Sequence, residues 1–245
     1  METIKLQKFF SECGIMSRRA AEAEILAGNV SVNGIPAVLG DRIDPEADLV
    51  CWNGKEITAS VLSRDHTYVM LHKPAGYVTT MQDEKGRPTA AGLLSSIPKR
   101  LYPVGRLDMY SDGLLLFTDD GDLTYRLTHP SHHVTKCYRL IVKGVLSVAD
   151  AKRMEQPMVL DGYRLQPVTA ELVQSGVTVG GTNASVLNVC LMEGRNRQIR
   201  KMCEQLGWTV IRLSRLSLGE IQLGNLPSGK WRYLSPEEIQ YLKEI

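Results

Sequence analysis

The sequence predicts an α+β protein in two parts, a small N-terminal α/β module followed by a larger mixed domain. Three observations predict it. Short apolar runs bounded by turn residues, such as Val30–Val32 and Leu114–Thr118, have the length and edges of strands. Helical stripes are short, the clearest being Ile199, Met202, Cys203 and Leu206 on one face. Between the parts, residues 57–66 carry no periodic pattern and form the expected linker, which places the module at 1–60 and the larger domain at 65–245.

In the module, residues 4–28 form two expected helices. Leu6, Phe9 and Phe10 share a face of the first, and Gly14 ends it. Ser17 caps the second, whose first turn carries Arg18 and Arg19, and Gly28 stops it. Asn33-Gly34 and Asn53-Gly54 are tight hairpin turns after Val30–Val32 and Leu49–Trp52.

The larger domain opens with a strand, Tyr68–His72. Lys73-Pro74-Ala75-Gly76 turns out of it, because Pro74 lacks an amide proton and Gly76 permits a sharp bend. Lys73 is expected to be solvated or to meet a phosphate. Gln82–Thr89 is a polar loop. The chain is organised around Val104–Gly121. There a buried strand, Leu114–Thr118, follows a loop holding Arg106, Asp108 and Asp112 among small residues. A loop fixed to the end of a buried strand is rigidly held and reachable, which suits chemistry. Arg106 lies close enough in sequence to favour the charged form of Asp108.

Asp119 or Asp120 caps a helix over Asp122–Leu127, stopped before Pro130. Lys136–Val142 is a strand. Ser147 and Asp150 start a helix that runs to Glu155. Gln174–Asn183, with three glycines, is expected to be a hairpin loop before the strand Ser185–Met192. The striped helix ends at Gly207, and Val210–Leu216 is a strand. Ser235-Pro236-Glu237-Glu238 is a capping box with proline at the first helical position.

Composition narrows the function. Hydrophobic residues make up 43% and charged residues 23%, as in a globular protein. No apolar run approaches the ~18 residues of a membrane span, and the first residues lack a secretory pattern, so a cytoplasmic protein is expected. Five scattered cysteines without a Cys-x-x-Cys pair argue for reduced thiols and against a zinc site. The aspartates between 108 and 122 fit no calcium loop, and Pro130 separates the histidines 129, 132 and 133, so no metal is expected. Net charge is only +2, but Arg195–Arg232 holds eight Lys or Arg against two Glu, whereas residues 1–56 are net acidic. A polyanion would be gripped mainly by the C-terminal part.

The segment Gly105-Arg106-Leu107-Asp108, with Ser111 and Gly113-Leu114-Leu115-Leu116, resembles the signature loop of RNA pseudouridine synthases, in the branch that modifies bacterial ribosomal RNA. Lys73-Pro74-Ala75-Gly76, Lys136-Cys137-Tyr138 and Glu193–Arg200 extend the resemblance over nearly the whole chain. It implies a mixed, mainly antiparallel catalytic sheet, Asp108 as the essential group, Tyr138 packed against the target uracil, and Arg200 paired with the Asp108 carboxylate. Residues 6–10, 17–21 and 30–34 resemble the alpha-L RNA-binding fold of a small-subunit ribosomal protein. This implies phosphate contacts from Lys5, Lys8, Arg18 and Arg19. Arg106, Arg195, Arg197 and Lys201 are the further RNA-binding candidates.

The implied reaction breaks the bond from ribose to a uracil nitrogen, turns the base, and rejoins it through a ring carbon. Nothing is oxidised and no group enters, so no cofactor is expected, and neither a dinucleotide fingerprint nor a P-loop occurs. Asp108 would act either as nucleophile or as base toward a ribose proton. The expected partner is ribosomal RNA or an assembly intermediate, met by a monomer. Arg195-Asn196-Arg197-Gln198 leans toward large-subunit enzymes, whereas Asp119-Asp120-Gly121 and Ser131-His132-His133 lean toward the small-subunit one; the large subunit is favoured. The alternatives are a non-catalytic RNA-binding assembly factor and a metal-dependent nuclease built on the aspartates.

Overall fold

The computed structural model describes residues 3–57 and 66–245, so most of the expected linker lies outside the described residues. The chain divides into two compact units. The first runs to Thr67 and takes in Asp119–Gly121; the second holds Tyr68–Thr118 and Asp122–Ile245.

The first unit contains β1 (Ile4–Lys5), α1 (Leu6–Glu12), α2 (Arg18–Leu26), β2 (Val30–Val32), β3 (Ile35–Pro36), β4 (Arg42–Ile43), β5 (Val50–Trp52) and β6 (Lys55–Ile57). Ser17 Oγ accepts from Ala20 N, which caps α2 as its sequence predicts. Asn33 and Asn53 take positive φ with the glycine after each, the geometry of a tight two-residue hairpin. The four-stranded sheet β3-β2-β5-β6 and the buried faces of both helices enclose a core that includes Leu6, Phe9, Phe10, Ile25, Ile43 and Val50.

The second unit contains β7 (Tyr68–Lys73), β8 (Tyr102–Pro103), β9 (Asp112–Thr118), α3 (Gly121–Thr128), β10 (Lys136–Lys143), α4 (Val148–Met154), β11 (Val159–Leu160), β12 (Tyr163–Arg164), β13 (Thr169–Val179), β14 (Thr182–Leu191), α5 (Gln198–Gln205), β15 (Val210–Leu218), β16 (Ile221–Gln222), β17 (Trp231–Tyr233) and α6 (Pro236–Glu244). Its sheet runs β13-β14-β10-β15-β9-β7-β17, with β16 on β15 and β8 on β9. The pairings are antiparallel except β9 with β15.

Every residue of β9 is buried because both sheet faces are covered. Leu114 and Leu116 pack with Met70, Leu123, Leu127 and Leu242 on one side; Leu115 and Phe117 pack with Val69, Leu71, Leu94 and Leu107 on the other. A third cluster joins β10, β14 and α5 through Leu140, Leu187, Val189, Ile199 and Met202. Capping boxes start α4 at Ser147/Asp150 and α6 at Ser235/Glu238.

Three expectations need correction. Gln174–Asn183 is not a loop: β13 and β14 continue through most of it, and the turn is Gly180-Gly181 alone. Gly176, at φ +69°, instead lies where the β13 register shifts, a bulge. The thiols are not all reduced, because Cys137 and Cys190 form a disulfide. The β10–β14 register sets them directly opposite, with Cα atoms 4.1 Å apart, a pairing hidden by 53 residues of separation. Lys73, expected in solvent, is fully buried.

One glycine fixes how the central strands approach. A Cβ built on Gly113, at φ +111°, would lie 2.3 Å from Arg215 O and 2.5 Å from Arg215 N on β15. Gly113→Ala is therefore expected to lower the urea midpoint at unchanged slope, by about 3 kcal/mol of stability. Backbone, not a pliable side chain, would have to move.

Candidate active site

The site is built on the loop that joins β8 to β9, and buried donors fasten it from beneath. Lys73 Nζ donates to Ser111 O at 2.7 Å, Pro74 O at 2.9 Å and Asp108 O at 3.1 Å, with Met109 O at 3.4 Å. An ammonium has three protons, so the three short contacts exhaust it. Gly76 N donates to Met109 O at 2.7 Å, and Thr79 Oγ1 donates to Leu107 O at 2.7 Å. The segment following β7 therefore holds the carbonyls on both sides of the Asp108 side chain. Burial pushes the Lys73 ammonium down to about 8, against the pull of Asp112 and Asp108.

Arg200, on α5, closes the loop from the other side. Its Nη2 donates to Tyr110 O at 2.9 Å and to Ser111 Oγ at 3.2 Å. Its Nε lies 4.0 Å from Asp108 Oδ2 and is buried without a hydrogen-bond partner. Burial lowers the Arg200 pKa, Arg197 lowers it further, and Asp108 opposes both. Ile199, Met202 and Cys203 bury one face of α5, which sets Arg200 beside that face. The loop before α5 is fixed by Gln198, which donates to Glu193 Oε1 at 2.8 Å.

Above this loop opens a cleft of 430 Å³ whose lining includes Arg106, Asp108, Lys136, Tyr138, Arg197 and Arg215. The volume falls within the usual range for small-ligand sites, roughly 300–1,000 Å³. Asp108 and Tyr138 thus meet one cavity, and Arg200 stands at hydrogen-bond range from the loop that carries Asp108. Arg106 is exposed and lines the cleft, but it forms no ion pair with Asp108 within 4.0 Å. Lys73 and Arg200, distant in sequence, are the cations that interact with Asp108.

The other basic candidates divide. Arg195 also lines the cleft, with Cζ 3.0 Å from the centroid of the Tyr163 ring and Nε 3.3 Å from Glu193 Oε2. Arg197 is exposed and adopts φ +52° at the N-cap of α5. Lys201 is paired with Asp161. In the first unit, Lys5, Arg18 and Arg19 are exposed, and Lys8 pairs with Glu12 at 3.2 Å. Among the described residues, no three His, Cys, Asp or Glu side chains converge as metal ligands would.

Asp112 has a different task from Asp108. It is 3% exposed and accepts from Ser214 Oγ at 2.6 Å and from Arg212, with His72 Nε2 at 3.8 Å. Burial works to raise its pKa, but the hydrogen bonds from Arg212 and Ser214 and the charges of Arg212 and His72 outweigh it, so the net shift is downward. A carboxyl with a lowered folded-state pKa stabilises fully above the unfolded value, about 3.9, and loses that stabilisation as pH falls through the lower folded value. Asp112→Asn is expected to cost about 1–3 kcal/mol at pH 7. In urea unfolding, its deficit against the unaltered protein should shrink steadily below pH 4. A deficit independent of pH would contradict the ion-pair assignment.

Sequence reasoning missed Arg215, the burial of Lys73, the partial burial of Lys136, and the Asp112 network. A signal was present for Arg215: in Leu213-Ser214-Arg215-Leu216-Ser217, alternation puts Arg215 on the same strand face as Leu213.

Fold and site together define an enzyme domain whose cation-lined cleft, on a mainly antiparallel sheet, meets the Asp108 carboxylate and a Glu193 carboxylate already engaged by Arg195 and Gln198. Residues 67–205 match the family described as RNA pseudouridylate synthase. An Aquifex aeolicus protein named as an uncharacterized RNA pseudouridine synthase is 36% identical over 244 residues, 99% of this chain and 94% of its own length. A Bacillus subtilis protein, ribosomal large subunit pseudouridine synthase B, is 34% identical over 98% of this chain and 96% of its own. A solved structure described as a crystal structure of pseudouridylate synthase superposes with a TM-score of 0.67 at 27% identity, covering 98% of this chain and 99% of that one. The chain belongs to the RNA pseudouridine synthase family.

Proposed function

We propose that the protein isomerises one uridine of large-subunit ribosomal RNA to pseudouridine, with Asp108, Tyr138 and Arg200 as its site. The observation that carries this reading is the meeting of the Asp108 loop, Tyr138 and the Arg200-bearing helix at one cleft. Asp108 acts on the nucleoside as nucleophile or as base toward a ribose proton. Arg200 orients it, and Tyr138 holds the detached uracil and helps remove the proton from its new bonding carbon. The target uridine must leave its stack to reach the cleft, at a cost of a few kcal/mol that is least where it is already unpaired.

Phosphate contacts offset that cost. Arg106, Arg195 and Arg197 supply them at the cleft, with Lys201 further along α5. The N-terminal module, residues 1–60, adds Lys5, Lys8, Arg18 and Arg19 as an RNA-binding domain of the alpha-L type. Large-subunit RNA is favoured by the Arg195–Gln198 segment and by the name of the Bacillus subtilis relative. The protein works as a monomer in the cytoplasm, where its substrate is assembled.

The test is incubation of the protein with unmodified large- and small-subunit ribosomal transcripts, followed by pseudouridine mapping. One modified position, in the large-subunit RNA, is expected. A position in the small-subunit RNA would overturn the substrate, and no pseudouridine in either would overturn the reading.

A further inference from the structure

The cleft holds more positive charge than its two carboxylates explain, since Glu193 is already engaged by Arg195 and Gln198 and Asp108 faces Arg200. Arg215 lies on β15 directly between Tyr138 of β10 and Gly113 of β9. It is 3% exposed and lines the cleft. Its Nε donates to Leu114 O at 2.7 Å, while Nη2 is buried with no hydrogen-bond partner. Lys136, two residues before Tyr138, lines the same cleft, and its Nζ donates to Val134 O at 2.8 Å. Burial pushes Lys136 down to about 8, and the charge of Arg215 adds to that. Neither cation has a carboxylate within 4.0 Å among the described residues. A buried guanidinium with an idle donor costs stability unless something of opposite charge visits it.

The isomerisation generates such a visitor. When the bond from C1′ to N1 breaks, its electron pair leaves with the base, and the negative charge spreads over N1 and the two ring carbonyl oxygens. C1′ then bonds to C5, and the C5 proton is lost. The charge appears in both routes open to Asp108.

We propose that Arg215, with Lys136 beside it, stabilises the departing uracil anion, Nη2 donating to a ring carbonyl oxygen. The inference rests on the isomerase reading of the same cleft. A donor fixed before the reaction at the point where charge develops needs no rearrangement in the transition state, which is why removing one such donor commonly costs 10²–10³ in rate. The register explains the placement: the strand between the base-stacking tyrosine and the loop of the catalytic carboxylate is the one that can reach beneath the base.

The experiment compares the unaltered protein, Arg215→Met, Arg215→Lys and Lys136→Met under single turnover. The substrates are three large-subunit transcripts, made with uridine, 2-thiouridine or 4-thiouridine, with the C-linked nucleoside measured after nuclease digestion. Arg215→Met should slow the uridine RNA about 10²-fold with RNA affinity unchanged. It should slow one thio-RNA by less than about 10-fold, because sulfur at the contacted position is a poor acceptor and the lost bond was already weak. Arg215→Lys should recover part of the rate, and Lys136→Met should show a smaller loss with the same pattern. Equal slowing on all three RNAs, or affinity falling in step with rate, overturns the inference while leaving the isomerase standing. If Arg215→Met does not fold, Arg215→Lys and Lys136→Met decide by the same comparison. No product from the unaltered protein on any RNA overturns the isomerase reading itself.

Discussion

Asp108→Asn is expected to abolish turnover, by at least about 10⁴-fold in single-turnover rate, while RNA affinity changes less than twofold. The amide keeps the size of the carboxylate and leaves the backbone untouched. Lys73, Gly76, Thr79 and Arg200 grip the loop by hydrogen bonds to its carbonyls, its Leu107 amide and Ser111 Oγ, and the Asp108 side chain adds only the 4.0 Å approach of Arg200 Nε, so the loop should keep its shape. What the amide removes is the ability to attack a carbon or accept a proton. Filter binding and product formation on the same RNA would separate the two effects. Substantial residual isomerisation would move catalysis to another group, and a parallel loss of binding would make Asp108 an RNA ligand.

Lys73→Met should be the most damaging substitution outside the reacting groups. It leaves the carbonyls of Pro74, Asp108 and Ser111 without their fully buried donor, the Ser111 carbonyl in a buried place. Removing one member of a buried, hydrogen-bonded charged cluster typically costs about 3–5 kcal/mol. Asp112, which also interacts with Lys73, would lose a neighbouring cation. We expect a lower urea midpoint together with a fall in rate, because the loop carrying Asp108 loses its floor. The protonation of Lys73 also has a sign that can be checked. Its folded value of about 8 lies below the ordinary 10.5, so keeping the charge is a penalty up to about pH 8. That penalty is relieved between pH 8 and 10.5, where the unfolded chain binds more protons. Lys73→Met abolishes this contribution, so the stability difference between the two proteins should widen as pH rises through that window. A solvated Lys73 would give a substitution with almost no effect.

Much of the local structure was legible in the sequence because it depends on neighbours. Ser17, Ser147 and Ser235 each cap a helix by bonding to an amide three residues on. Asn33-Gly34 and Asn53-Gly54 turn because those residues tolerate positive φ. The run Leu114–Thr118 is a strand buried on both faces, as its unbroken apolar character implies. Where reading failed, the deciding partner was remote. The glycines of 174–183 suggested a loop, yet Gly176 is absorbed as a bulge because β14 offers a long strand to pair with. The odd cysteine count suggested free thiols, and only the β10–β14 register brings Cys137 against Cys190.

Asp108 stands out as a candidate in the sequence, because an aspartate among small residues before a buried strand is a local pattern, and the resemblance to a family sharpens it. Of its electrostatic partners, Arg200 was named only through that resemblance, and Lys73 not at all. Arg106, two residues away, was the natural guess, yet the cations that act on Asp108 arrive from β7 and α5. Charge works through space, and in a sheet whose central pairing is parallel, close residues lie far apart along the chain. The order of residues by itself determined the serine caps, the Asn-Gly turns, the buried strand Leu114–Thr118 and the loop proposed to carry the chemistry. Tertiary structure alone decided that Lys73 lies buried under that loop and that Arg215 lies between Tyr138 and Gly113, because burial and cross-strand register are properties of the assembled sheet.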